Sequence, residues 1–296
     1  MTRISMFAAL ASVLTLTLAS TANAGLTSGL QLLYAFENSG DLGENSAIGG
    51  SSGTNSGVAH TASGLIGGAS DWAANGALLS VAGSDLSKIE FPSGGTGDGG
   101  TTIAFWVKTT ETNRSTFYST GLAAYGSGFG DNSTTWRSIS ADYTPGNKNQ
   151  FEAGARSQPA GNTAAIYNTD DNAGFTLHDD AWHHLAVTIE RATNNTTVTS
   201  YADGAQLSVS GSLLQPDGFP LTHFTLGINA EGADNQDLNG LLDEFAIWDR
   251  TLTAAEITQI HTNGLLGQGI IPEPSSMLLA LWGLVGLASY RSRRTC

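Results

Sequence analysis

The chain has 296 residues, with 12 Lys+Arg against 26 Asp+Glu and a formal net charge of −14. So acidic a surface repels phosphate backbones and anionic lipid, which excludes nucleic-acid binding and suits solubility outside the cell and divalent-cation binding. Glycine is high at 37 and proline low at seven, and Thr, Ser and Asn fill the stretches between short apolar runs, as in proteins built of many short strands joined by turns.

Residues 1–24 open with a positive charge at Arg3, continue through an apolar run from Met6 to Leu18, and close on Ala22-Asn23-Ala24. That small-x-small ending is the pattern signal peptidase cuts, so the segment reads as a signal peptide cleaved between Ala24 and Gly25. The alternative is a membrane anchor, for which the run falls short of the roughly 20 residues a spanning helix needs. Export is the expectation.

Residues 25–268 are enough for one all-β sandwich domain. In "TTIAFWVKTT", Ile103, Phe105 and Val107 alternate with Ala104, Trp106 and Lys108, the period of a strand. In "DAWHHLAVTIE", His183, Leu185, Val187 and Ile189 share one face and His184, Ala186, Thr188 and Glu190 the other. "TVTSYADGAQLSVSG" predicts two strands around a tight turn at Asp203-Gly204. The glycine-rich stretches "SAIGGSSGTNSG" and "SGGTGDGGT" read as loops between strands. "TAAEITQIHTNG" predicts the one helix, with Thr253 and Glu256 as a capping box, Ile257 and Ile260 on its apolar side and Gly264 at its end.

The tail, residues 270–296, differs from everything before it. Pro272-Glu273-Pro274 and Ser275-Ser276 lead into an apolar run over about 275–290, followed by Arg291, Arg293 and Arg294. As a helix that run spans roughly 24 Å, slightly under a hydrocarbon core of about 30 Å, and the arginines hold its far end in the cytoplasm. A single-pass anchor is one reading. The order of parts also resembles the PEP-CTERM sorting signal of Gram-negative bacteria, which implies recognition of Pro272, Glu273 and Pro274 by an exosortase and removal of the helix. The lone cysteine, Cys296, would leave with it. Without both segments, the 12 basic residues lose Arg3, Arg291, Arg293 and Arg294 to leave 8, and the 26 acidic residues lose Glu273 to leave 25, so the mature charge is −17.

Taken in order, "LLYAFENSG", "IAFWVKT", "DDAWHHLAVTIE", "YADG" and "GLLDEFAIWDRTLTAAEI" resemble the LamG-like, concanavalin A-type jelly roll, over roughly Leu30 to Gly264. The resemblance implies an extracellular binding or structural module. Relatives on this sandwich hydrolyse β-glucans through a Glu-x-Asp-x-x-Glu strand, whose spacing places alternate carboxylates on one face. No such pattern occurs here. Asp243 and Glu244 are adjacent and are expected on opposite faces, and His183 and His184 read as one surface and one packing histidine beside a core Trp182. The expected protein is therefore non-catalytic, with a glycoside hydrolase built from loop acids, or a matrix protein with no ligand site, as alternatives. For binding carbohydrate or exopolysaccharide, the aromatic candidates are Tyr125, Trp136 and Tyr143, whose other reading is ordinary strand packing.

In "GLLDEFAIWDR", strict alternation puts Leu241, Asp243, Phe245 and Ile247 on one apolar face. A carboxylate there has to be hydrogen-bonded, paired or bound to a cation. "NQDLNG" mimics the start of an EF-hand loop, but the position of its bidentate Glu is Ala246. The LamG-like resemblance implies a structural Ca²⁺ between Glu37 and Asp243, with the Asn45–Gly57 loop as a further source of ligands. A buried Asp243 accepting backbone N–H bonds is the competing expectation.

Overall fold

The computed structural model describes residues 25–47, 53–73, 76–82, 99–111, 115–121, 136–144, 147–157, 164–170, 175–192, 195–209, 223–228 and 237–271. Within them the strands, numbered in chain order, form two antiparallel sheets. The first runs β13 (Ala205–Val209), β12 (Asn195–Ala202), β11 (His183–Ala192), β6 (Gly99–Lys108), β15 (Leu241–Trp248), β4 (Ala69–Asp71) and β3 (Ala59–Thr61), with β1 (Leu30–Tyr34) also on β15. The second runs β10 (Ala164–Asp170), β9 (Asn147–Ser157), β8 (Trp136–Thr144), β7 (Ser115–Gly121), β14 (His223–Leu226), β5 (Leu78–Ala82) and β2 (Thr54–Ser56). One helix, α1 (Ala254–Leu265), follows β15. The expected all-β sandwich with a short C-terminal helix is what forms.

Alternation decides which side chains meet between the sheets. Ile103, Phe105 and Val107 of β6 and Leu185, Val187 and Ile189 of β11 point inward to Leu79 and Val81 of β5, Phe117 of β7, and Phe224 and Leu226 of β14. Phe105 lies 5.3 Å from Phe117 and 5.8 Å from Phe245 between ring centroids. The other residues of the same strands face outward, and α1 covers them. Ala104, Ala186, Tyr201, Ala246 and Trp248 pack with Ile257 and Ile260 in a second core. The first sheet is thus apolar on both sides where the helix lies.

Several local expectations hold and several shift. The β12–β13 turn has Asp203 at φ 48 and Gly204 at φ 76, the positive-φ pair of a type I′ hairpin. Thr253 and Glu256 form the capping box. Gly264 does not end α1. The helix closes on Leu266, with the Gly267 and Gln268 N–H groups donating back to Gly264 and Asn263 carbonyls, a Schellman pattern. Gly264 instead lies buried in the last turn, where the ring of Trp106 fills the space a side chain would need. The glycine-rich loops are partly strand, since β2 starts at Thr54 and β6 at Gly99. Trp182 is only half-buried, at the mouth of β11 rather than in the core. Residues 1–24 and 272–296, with the expected signal peptide and the tail from Pro272 onward, lie outside the described residues. Among the described residues no helix is long and apolar enough to cross a membrane.

The contact between α1 and the sheet generates two predictions. His184 is fully buried on the outer face, 5.2 Å from the ring of Trp106 and 6.1 Å from that of His261. Burial, and then the like charge of His261, push its pKa down to about 3. Between the ordinary value of about 6.5 and about 3, the unfolded chain binds a proton there that the folded chain refuses, so stability falls as pH falls through that window. His184→Leu is expected to shrink the drop in melting temperature between about pH 7.5 and about pH 4.5; an unchanged drop would show that His184 takes up its proton in the fold. Gly264→Ala forces a methyl into the Trp106 ring and is expected to cost about 1–3 kcal/mol in denaturant unfolding. An unchanged midpoint would mean that the helix is not seated on that ring.

Candidate functional site

β15 is where the chemistry of the body concentrates. Along β6 its register runs Leu242↔Val107 and Asp243↔Trp106, then resumes at Ala246↔Ala104. Two residues, Glu244 and Phe245, therefore stand opposite Phe105 alone. This is a β-bulge, with Glu244 in the left-handed region at φ 50. The bulge resets the alternation. Leu242, Phe245 and Ile247 face the inner core, so the expectation that Asp243 shares the face of Phe245 and Ile247 is overturned by the extra residue. Asp243 lies on the Trp106 side, and Glu244 lines a cavity with Leu26, Trp106, Ile260 and Ile270. The two acids are on the same side of the sheet, not on opposite sides.

Each carboxylate holds a different segment of chain. Asp243, 0 % exposed, accepts the Leu65 and Ile66 N–H groups on Oδ2 at 3.0 and 2.9 Å. Its Oδ1 has no hydrogen-bond partner among the described residues. Burial first, and then the charges of Glu244 and Glu37, push its pKa up to about 8 against the pull of the backbone donors. Glu244 Oε2 accepts the Ile270 N–H at 2.9 Å. Glu37, just after β1, accepts the Gly68 N–H on Oε2 at 3.0 Å. The same short loop, Gly64 to Gly68, is therefore bonded by both Glu37 and Asp243. Gly67, at φ +71, is pressed so closely on the Glu37 carboxylate that no Cβ fits.

The residues present fit a hard cation. A buried carboxylate oxygen without a donor is costly, and the neighbouring Glu37 makes it more so unless a proton or a cation is supplied. Beside the loop, the Phe36 carbonyl and the partnerless Nε2 of His60 lie 2.9 and 2.6 Å from the position of a Cβ on Gly68. Two carboxylates and a carbonyl make an oxygen-rich set of the kind calcium takes. Among the described residues there is no group of three or more His, Cys, Asp or Glu that could hold a metal, so such a site would complete itself with backbone oxygen and water. Asn45 is not part of it. Its Oδ1 accepts the Leu33 and Ala47 N–H groups, and residues 48–52 of the expected third-ligand loop lie outside the described residues.

The histidines do more than the sequence suggests. His183 Nδ1 is 2.9 Å from Asp203 Oδ2, across the β11–β12 hairpin, and Nε2 is 3.1 Å from Asp179 Oδ1, four residues earlier. Burial lowers its pKa, but the two carboxylates outweigh that and the net shift is upward. Asp203 also accepts the His184 N–H through Oδ1 at 3.0 Å. His184 is the packing histidine of the pair, with neither ring nitrogen bonded among the described residues, while His183 is held between two carboxylates. His183 thereby ties the segment before β11 to the turn after β12. Tyr125 lies outside the described residues, and of Trp136 and Tyr143 only the backbone on β8 is described.

Comparison with known proteins follows the same lines. No curated protein matches the chain. Among solved structures, a botulinum neurotoxin type C structure described as dependent for cell entry on two ganglioside molecules superposes with TM-score 0.54 at 13 % identity, over 81 % of this chain and 52 % of that one. The binding domain of botulinum neurotoxin serotype G gives 0.51 at 15 %, over 79 % and 50 %. Domain 4 of an extracellular GH43 arabinanase from Geobacillus stearothermophilus, in complex with arabinotriose, gives 0.49 at 22 %, over 78 % and 97 %. The chain thus spans about half the length of the toxin structures it matches. At such identities the likeness shows the fold alone. A family model, the Laminin G type of the concanavalin A-like lectin/glucanases, matches residues 83–258 and so takes in β6 to β15 and the start of α1. The chain belongs to the concanavalin A-like lectin/glucanases superfamily.

Proposed function

We propose that this is an exported, non-catalytic surface or matrix protein of a Gram-negative bacterium whose sandwich binds carbohydrate or exopolysaccharide. The observation that carries the non-catalytic part is the state of the two acids on β15. Asp243 and Glu244 are buried, at 0 % and 4 % exposed, and each is bonded to backbone N–H groups. A general acid has to reach the glycosidic oxygen of its substrate, and neither of these reaches solvent. Superfamily membership, and a neighbour described by its interaction with ganglioside, support carbohydrate as the ligand class. Signal peptidase cleavage between Ala24 and Gly25, and exosortase processing at Pro272-Glu273-Pro274, complete the reading. The segment over 275–290 serves as a transient inner-membrane anchor, and the sequence pattern alone supports these steps.

The test combines two measurements on protein taken from its native host. Mass spectrometry should find an N-terminus at Gly25 and no Cys296, and a glycan array should bind that material while polysaccharides release no reducing sugar. Mature material that keeps Cys296 would replace sorting by a permanent anchor. Reducing-sugar release would make the protein a hydrolase, and a blank array would leave a matrix protein without a ligand site.

Calcium belongs to the same proposal as a structural ion. Glu37 and Asp243 would hold it, and its charge would compensate the unpartnered Asp243 oxygen, fastening the chain after β1 to β15 through the 64–68 loop. With calcium at about 100 times its Kd the melting temperature should rise by roughly 5–10 °C over chelator-treated protein. Asp243→Asn keeps an acceptor for the Leu65 and Ile66 N–H groups but should abolish that rise. A shift no larger than magnesium or sodium produces would dismiss the site.

A further inference from the structure

Among the described residues the exposed large hydrophobic side chains are Leu265 and Leu266, at 59 % and 67 %, both at the C-terminal end of α1. They are neighbours in sequence, and the chain beyond them is not loose. Gln268 and Gly267 turn back on the helix carbonyls, and the Ile270 N–H donates to Glu244 Oε2. Ile270 itself is 4 % exposed in the outer core, with Ile271 packed against it. The body therefore holds its C-terminal segment as far as Ile271. Only Pro272, Glu273 and Pro274 separate that fixed point from the apolar run that begins at Ser275. Fully extended, the four steps from Ile271 to Ser275 reach about 14 Å.

We infer that the Leu265–Leu266 end of α1 is a membrane-contact surface, seated on the lipid bilayer while the chain is still anchored. This rests on reading 275–290 as a membrane helix. A bilayer-inserted run starting at Ser275 cannot leave the Leu pair far from the lipid, because the Glu244–Ile270 bond removes the slack between them. The chemistry of the patch fits an apolar contact. No basic residue stands in the last turn of α1 and the protein is strongly acidic, so charge does not draw this end to anionic headgroups. Two leucines bury too little to bind a vesicle by themselves, but a tether of a few residues makes the encounter intramolecular. The contact is expected only in the anchored chain, and it ends when the anchor is lost. Before processing, the Glu244 clamp fixes which end of the sandwich faces the lipid.

The test uses the full chain with Cys296→Ser, inserted in nanodiscs of phosphatidylethanolamine and phosphatidylglycerol that carry a lipid-borne quencher. An environment-sensitive fluorophore is placed through Gln268→Cys or, as the reference, Ala255→Cys, near the other end of α1 and about 16 Å away. Resistance of the chain to alkaline extraction reports insertion separately. The expected result is quenching several-fold stronger at 268 than at 255, falling toward equality when Leu265→Ser and Leu266→Ser are combined. Glu244→Gly suits the positive φ at that position while removing the carboxylate, and it too should bring the two probes together without loss of insertion. Equal quenching in an inserted chain would overturn the inference, as would strong quenching at 268 that survives the double Leu→Ser change or the loss of Glu244. A chain that alkali extracts shows instead that 275–290 is not a membrane helix, and the contact falls with that reading.

Discussion

The rest of the structure depends on the bulge in β15. One face of this strand supplies Leu242, Phe245 and Ile247 to the inner core, and the other supplies Ala246 and Trp248 to the core beneath α1. β6 pairs with it along one edge, while β4 and β1 share the other, β4 at Leu241–Leu242 and β1 from Phe245 onward. The change of neighbour falls at Asp243–Glu244, where the extra residue sits. A regular strand would put one of the two acids in the hydrophobic interior. The left-handed Glu244 lets both turn to the outer face, where backbone N–H groups can meet them. A non-glycine residue at positive φ is strained, and here two anchored segments offset the strain.

The body spends its acids on its own backbone. Asp243 holds the 64–68 loop, Glu244 holds the chain after α1, Glu37 holds Gly68, Asp203 holds the start of β11, and Glu256 caps the helix while pairing with Arg250 at 2.6 Å. Carboxylates accept from backbone donors more strongly than neutral groups do, which suits a chain with no disulfide among these residues. The arrangement works while each acid faces donors or a cation. Asp243 faces both donors and the charge of Glu37, and burial together with the neighbouring acids pushes its pKa up to about 8.

Much of the fold is legible in the chain because its signals are local. Period-two alternation in "TTIAFWVKTT" and "WHHLAVTIE" is enough to assign inward and outward faces, and Asp203-Gly204 and Thr253–Glu256 carry their turn and cap in adjacent residues. The bulge has no such signal. Nothing in "LLDEFAIW" marks Glu244 as left-handed, because the cause is tertiary. Only the 64–68 loop and the segment at Ile270, distant in sequence, make it favourable for both acids to turn outward. A one-residue change of phase then reverses the faces of every residue before it. The same reason hid the partners of His183, since Asp203 comes within reach only once β11 and β12 have paired. Gly264 departs from its expected role for a related cause. Glycine at a helix end usually terminates it, but here the indole of Trp106 requires the missing side chain and termination falls to Gly267.

The segments flanking the sandwich at either end gather on the outer face and are held in different ways. At the N-terminal side Leu26 is buried there, the indole N–H of Trp248 donates to its carbonyl at 2.7 Å, and Arg250 donates to the Gly25 and Ser28 carbonyls. At the C-terminal side one carboxylate bond and Ile270 do the work. Both attach through the outer core beneath α1, away from the side chains that meet between the sheets. The 64–68 loop is different. It ties the chain leaving β1 to the middle of β15, and among the described residues β1 pairs with β15 alone. Releasing that loop exposes the buried Asp243 carboxyl and loosens an edge of the first sheet at once. The closing strand therefore carries one local clamp and one global one on consecutive residues.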